Sequence, residues 1–205
     1  MMIEKAMNNP AQAEGQTTAW QPNVILVDAD YLDAVAFDLI VNFERMIGRR
    51  IPPADLCHWL DCIALDGGLK AGDNQIQVAF LHGKDKAAFD NVRPASFAEL
   101  DGQAFKDALG EFQMSCCPVE PIVSAADLFC ESLAALFEAK EVERLMIVGN
   151  MEEYGDRVRS LCAKAERGKE VTLFAMQPQT GRGFYSEILG YSLMSALGIS
   201  HDELK

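Results

Sequence analysis

The sequence lacks most of the features that assign a chain to a class at sight. No apolar run reaches the ~18 residues that suggest a membrane span. The opening stretch, Met1 to Gln21, is polar and rich in small residues, with no apolar segment of the signal-peptide kind. It therefore reads as a loosely attached arm (residues 1–21) of a cytoplasmic protein rather than a secretory leader. No Cys-x-x-Cys pair, no Gly-x-Ser-x-Gly elbow, no glycine-rich phosphate loop and no internal repeat is present. These absences argue against zinc-ribbon, α/β-hydrolase and P-loop chemistry and against a solenoid.

Positive charge is also scarce. Lys and Arg number 18 against 31 Asp and Glu, a formal net charge of −13. Such a surface repels phosphate backbones unless a local basic patch overrides it, so RNA is not a favoured partner. Two modest basic groups exist, Arg49-Arg50 and the set Arg157, Arg159, Lys164, Arg167 and Lys169. The second is spread along a predicted helix and reads as a solvated face. Of the three histidines, His58, His82 and His201, none has a Ser or Cys partner by motif. The nearest approach to a metal cluster is Cys57-His58 with Cys62. On a helix positions 57 and 62 lie ~140° apart, so those two thiols diverge. Buried free thiols in a reducing cytosol are the expected state of all six cysteines.

What is present is enough for one sizeable core: 205 residues, 49% of them hydrophobic. Asn23 to Val27 is a short β-branched apolar run ending at Asp28, the pattern of a buried parallel strand. From Tyr31 to Ile47 the apolar spacing is helical, and Gly48 stops it. Pro52-Pro53 opens a second helix that ends at Gly67-Gly68. A strand over 76–81, a polar loop over 82–94, a helix over 103–114 and an extended edge segment over 117–123 follow. Next come a helix over 124–139, a strand over 144–149, a helix over 154–166 and a strand over 171–176. After a turn-rich linker (177–183), a helix is predicted over 186–197. Alternating strands and helices give a three-layer α/β/α domain with a mostly parallel, five-stranded sheet. Residues 22–177 form that domain, and 178–205 form a helical extension packed on the domain or on a second copy, because its apolar residues are too many-sided for a free helix.

In such sheets ligands bind outside the carboxyl ends of the strands. Asp28 and Asp30 follow the first strand, Asp127 opens the helix after the third, and Asn150, Glu152 and Glu153 follow the strand ending at Gly149. Converging carboxylates suit a hard cation such as Mg²⁺ or Mn²⁺, which can activate water for phosphoryl chemistry. Each residue also has a purely structural use. Asp127 stands three residues after Ser124 as in a capping box, Asp28 or Asp30 can cap the first helix, and Glu152 and Glu153 suit a helix N-terminus.

Over residues 23–177 this order of elements resembles the PIN-like metal-dependent ribonucleases, in particular their NYN branch. Their first strand ends in Asp-x-x-Asn-Leu; here Asp28-Ala29-Asp30-Tyr31-Leu32 keeps the aspartate and has Tyr31 for the asparagine. Asp127 in Ser-Ala-Ala-Asp-Leu matches the aspartate of their middle helix. Their Ser-Gly-Asp-x-Asp-Phe motif corresponds to Val148-Gly149-Asn150-Met151-Glu152-Glu153-Tyr154, and Gly168-Lys169-Glu170-Val171 to their Gly-Lys-x-Val strand. The resemblance implies a PIN-like fold and a metal site of Asp28, Asp30, Asp127 and Asn150, with Asp28, Asp127, Glu152 and Glu153 as the catalytic acids. Asn150 stands where an aspartate is expected, and an amide brings no charge to a cation. The leading expectation is therefore a non-catalytic or weakly active PIN-like binding module with an eroded metal site. One alternative is an active Mg²⁺-dependent ribonuclease using Asp28, Asp127 and Glu152 or Glu153. Another follows from Asp28-Ala-Asp30, which resembles the Asp-x-Asp of haloacid-dehalogenase phosphatases and implies Asp28 as nucleophile and Asp30 as acid/base.

Overall fold

The computed structural model describes residues 19–165 and 168–205. Most of the expected N-terminal arm (residues 1–18) and Arg167 of the second basic group lie outside the described residues.

Strand β1 (Asn23–Asp28) occupies the middle of a seven-stranded sheet. Its residues alternate between two cores. Ile25 and Val27 face a layer made by α1 (Ala29–Ile47), α2 (Leu56–Asp66) and α6 (Leu189–Ala196). Val24 and Leu26 face the opposite layer, α4 (Ala125–Glu138) and α5 (Met151–Lys164). A strand buried on both faces must be apolar throughout, which is why it reads as a continuous run. The three-layer expectation holds, with seven strands in place of five. The remaining strands are β3 (Asn74–His82), β5 (Ala104–Lys106), β6 (Gly110–Pro118), β7 (Arg144–Val148), β8 (Glu170–Ala175) and β9 (Tyr185–Ile188). Their order is β5-β6-β3-β1-β7-β8-β9, and only β5 runs antiparallel to its neighbour. A separate two-residue parallel ladder joins β2 (Ala54–Asp55) to β4 (Val92–Arg93), within the segment expected to be loop.

The helix expected over 103–114 is instead a β-hairpin. Phe105, Leu109 and Phe112 fit helical spacing, but burial along β6 alternates. Gly110, Phe112 and Met114 are buried, while Glu111, Gln113 and Ser115 are half-buried. Phe105 and Phe112 are register partners across the hairpin, with stacked rings 4.6 Å apart. The Leu109 N–H donates to Asp107 Oδ1 at 2.7 Å and closes the turn. Gly110 (φ 143°) lies so close to Asn74 that a Cβ would sit 2.1 Å from the Asn74 carbonyl oxygen. β6 is thus an interior strand, not an edge, because β5 covers it.

Two other boundaries differ from the sequence reading. α5 begins at Met151 rather than at residue 154, and its backbone leaves helical geometry at Tyr154 (φ −125°, ψ 18°). Residues 185–188 form edge strand β9 before α6 begins. The segment 178–205 thereby adds a strand to the main sheet, and α6 packs on α2, where Trp59 Nε1 donates to Ser192 Oγ at 3.2 Å. A short 3-10 turn at His201–Leu204 is held to the end of α1 by Arg49, which pairs with Glu203 at 2.6 Å. Of the six cysteines only Cys130 and Cys162 are buried. Cys57, Cys62 and Cys116 are half-buried and Cys117 is exposed.

Candidate functional site

From β1 the chain moves outward through β3 to β6, then crosses back to β7 on the other side of β1 and proceeds to β8 and β9. The order therefore reverses between β1 and β7, and at such a point the two loops diverge and open a crevice at the carboxyl ends. Asp28 ends β1, and Gly149-Asn150 follow β7 at the same level, since Val27 pairs with Val148. A Cβ on Gly149 would lie 2.7 Å from the Phe129 ring and 3.0 Å from the Tyr154 hydroxyl, so only glycine lets those two rings close beneath this edge.

Asp28 is the N-cap of α1, and the Tyr31 N–H donates to its Oδ1 at 3.0 Å. Its Oδ2 accepts from the Tyr154 hydroxyl at 2.5 Å, and that hydroxyl accepts from the Asn150 N–H at 3.0 Å. Burial raises the Asp28 pKa above 3.8; the Tyr154 and Tyr31 bonds work against this, and the charges of Asp30 and Glu153 add to it. The Tyr154 hydroxyl is itself driven upward by burial and by the Asp28 charge. Asn150 is the N-cap of α5. Its Oδ1 accepts the Glu153 N–H at 3.2 Å while its Nδ2 donates to Glu153 Oε2 at 3.3 Å. Tyr31 faces the same crevice, its hydroxyl pushed up to about 12 by burial and then by Glu152 and Asp28.

Asp127 turns to a different partner. Its Oδ2 accepts from Ser124 Oγ at 2.7 Å, its N–H donates back to that oxygen at 3.0 Å, and its Oδ1 pairs with Arg157 of α5 at 2.9 Å. Ser124 and Arg157 hold its carboxyl below the usual range. Asp30 accepts the Gly83 N–H at 2.8 Å, and its other oxygen is 3.9 Å from Lys86 Nζ. Glu152 is exposed.

The structure thus brings Asp28 and Asn150 together through Tyr154, keeps Glu153 beside them, and engages Asp127 with a cation. Both oxygens of Asp28 and both of Asp127 already accept hydrogen bonds from, or pair with, protein groups. Among the described residues no three His, Cys, Asp or Glu side chains are grouped to hold a metal ion. In this arrangement the residues do not fit a hard dication, which needs free carboxylate oxygens.

Three residues of this edge carry no motif. Tyr154 stands one helical turn after Asn150, and that spacing is the only signal for it. Asp33 and Lys86 form a buried pair at 2.6 Å, and Asp33 also accepts the N–H groups of Asp90 and Asn91. Asp33 interrupts the buried stripe Ala29-Leu32-Ala36, and a charge on an apolar face marks a paired partner elsewhere. That pair fixes the loop after β3. Beside it a cleft of about 490 Å³ opens between residues 83–86 and 119–125, lined by Lys84, Lys86, Glu120 and Val123 among others. Lys169 of the Gly-Lys-x-Val segment does not reach this edge. It donates to the carbonyls of Ala139 and Val142 at the end of α4.

No helix among the described residues is long and apolar enough to cross a membrane. No curated protein and no solved structure matches the chain. Residues 17–204 match a family of unknown function (DUF6621), and the chain belongs to that family.

Proposed function

We propose that this chain is a PIN/NYN-like domain that binds a partner or ligand at the carboxyl edge of β1 and β7 and does not cleave RNA. The single observation that carries this reading is the 2.5 Å bond from the Tyr154 hydroxyl to Asp28. It places a proton donor where a metal-dependent nuclease needs an open carboxylate oxygen. Two further features support it. Arg157 neutralises Asp127, and Asn150 spends its amide on helix capping. The exposed Glu152 and Glu153 and the neighbouring cleft leave a polar, accessible rim for contact.

The test is Mn²⁺ titration by calorimetry beside a single-stranded RNA cleavage assay with Mg²⁺ and with Mn²⁺. Wild type is expected to cleave no RNA and to bind Mn²⁺ weakly. The double variant Asn150→Asp/Tyr154→Phe, which restores a charge and frees an oxygen, is expected to bind Mn²⁺ at least about tenfold more tightly, because ligand charge tunes affinity. Metal-dependent cleavage by wild type that Asp28→Asn abolishes would overturn the reading in favour of an active ribonuclease using Asp28 and Glu152 or Glu153.

A further inference from the structure

On the opposite side of the α1/α2/α6 layer from the sheet, three donor atoms meet that play no part in the edge described above. His58 and Cys62 are four residues apart on α2, so they share one face, whereas Cys57 is turned away. The Cys62 Sγ lies 3.9 Å from His58 Nε2. Ser195, on the facing side of α6, puts its Oγ 2.8 Å from the same Nε2 and is in hydrogen-bond contact with the Cys62 thiol. His58 and Ser195 are exposed and Cys62 is half-buried, so the group is open to solvent.

We propose that His58, Cys62 and Ser195 form a surface site for a borderline-soft cation of the Zn²⁺ class, with a fourth position left to water or to an outside ligand. The distances fit. Zn–S near 2.3 Å and Zn–N near 2.0 Å in a tetrahedron put the two ligand atoms ~3.6 Å apart, so the observed 3.9 Å needs almost no closing. The serine oxygen must draw back from the imidazole by about half an ångström, which a small side-chain rotation supplies. The donor set also discriminates. Thiolate with imidazole selects Zn²⁺ or Cu⁺ over Mg²⁺ or Ca²⁺. Asp61 and Asp66 flank the thiol on the same helix and make the local potential favourable to a cation. Two helices that otherwise touch through apolar contacts would then be joined by the ion. On binding, the thiol proton leaves to solvent as the sulfur–metal bond forms, and the His58–Ser195 hydrogen bond is exchanged for coordination.

The experiment is titration of the full, reduced chain with Co²⁺, read by the thiolate-to-cobalt charge-transfer band, followed by displacement with Zn²⁺. One equivalent of Co²⁺ is expected to saturate the band, and Zn²⁺ to abolish it. Cys62→Ser is expected to remove the band, and His58→Ala to weaken binding by at least about tenfold, as loss of a direct ligand must. Ser195→Ala is expected to keep the band at lower affinity. Cys57→Ser and Cys117→Ser, which alter the other accessible thiols, are expected to leave it unchanged. No band in wild type, a band that survives Cys62→Ser, or full affinity in His58→Ala would each overturn the site. The same loss in Cys57→Ser or Cys117→Ser would assign the ion to a different thiol and overturn it equally. These positions are at least partly exposed, and a thermal melt of each metal-free variant shows that the fold is retained.

Discussion

Replacing Tyr154 by Phe isolates the contact that closes the candidate edge. The ring is buried at 3% exposure against Phe129, with centroids 5.1 Å apart, so the substitution keeps the packing and deletes only the hydroxyl. The lost bond is one to a carboxylate, a class that contributes about 1.5–3 kcal/mol. The half-buried Asn150 N–H also loses its acceptor, but water reaches that position. A loss of about 2 kcal/mol in a chain of this size corresponds to a fall in Tm of about 4–8 °C. The pH dependence carries the sharper test. Burial raises the Asp28 pKa and Tyr154 lowers it, so removing the hydroxyl raises it further. The folded state then holds a proton that the unfolded chain, at its ordinary 3.8, has released. For a raised carboxyl, stability is greatest below 3.8 and declines as pH rises through the folded value. The deficit of Tyr154→Phe should therefore be small in acid and full at neutral pH. Urea denaturation across that range measures it. In the Asp28→Asn background the deficit should shrink by more than about 1 kcal/mol, since Asn still caps α1 but carries no charge. A deficit independent of pH and of Asp28 would refute the reasoning.

Two further perturbations test the supporting structure. Lys86→Met strips the cation from Asp33, a carboxylate only 2% exposed, and should cost about 3 kcal/mol. Burial alone would raise the Asp33 pKa, but the Lys86 ammonium and the Asp90 and Asn91 N–H groups outweigh it and hold it below 3.8. Its contribution is therefore present above 3.8 and lost as pH falls through the folded value, so the variant should unfold at a higher pH in an acid titration. Away from the candidate edge, Asp61 of α2 is pushed up to about 7 by burial and by Asp107 in the β5–β6 turn. A raised carboxyl takes up a proton on folding, so wild-type stability should decline between about pH 4 and about pH 7. Asp107→Asn should flatten that slope, and equal urea midpoints for wild type at about pH 5 and about pH 8 would rule out the coupling.

The legible parts of this protein are those in which local pattern and tertiary role coincide. β1, β7 and β8 are buried on both faces, so their apolar runs are visible without any partner. The helix ends were equally plain, because Asp28, Ser124 and Gly48 act on backbone groups within four residues. The hairpin over 104–118 was not legible as such. Residues 105, 109 and 112 satisfy a helical repeat as well as a strand, and only the pairing of Phe105 with Phe112 and of β6 with β3 decides between them. β9 has four residues with little burial, and its identity rests wholly on the bonds it makes to β8.

The same division runs through the candidate site. The sequence alone determined which acidic residues stand at the carboxyl edge, because that follows from strand order and the position of each residue after its strand. What each carboxylate does there was decided only in three dimensions. Asp28 meets Tyr154 across 126 positions of chain, and Asp33 meets Lys86 across 53. Between Cys62 and His58 the separation is one helical turn, but Ser195 joins them only because α6 returns to α2 after the sheet is complete. Hydrogen-bond and coordination partners are set by contact within about 3 Å, and contacts between residues so far apart in the chain exist only once the sheet and its two helical layers have formed.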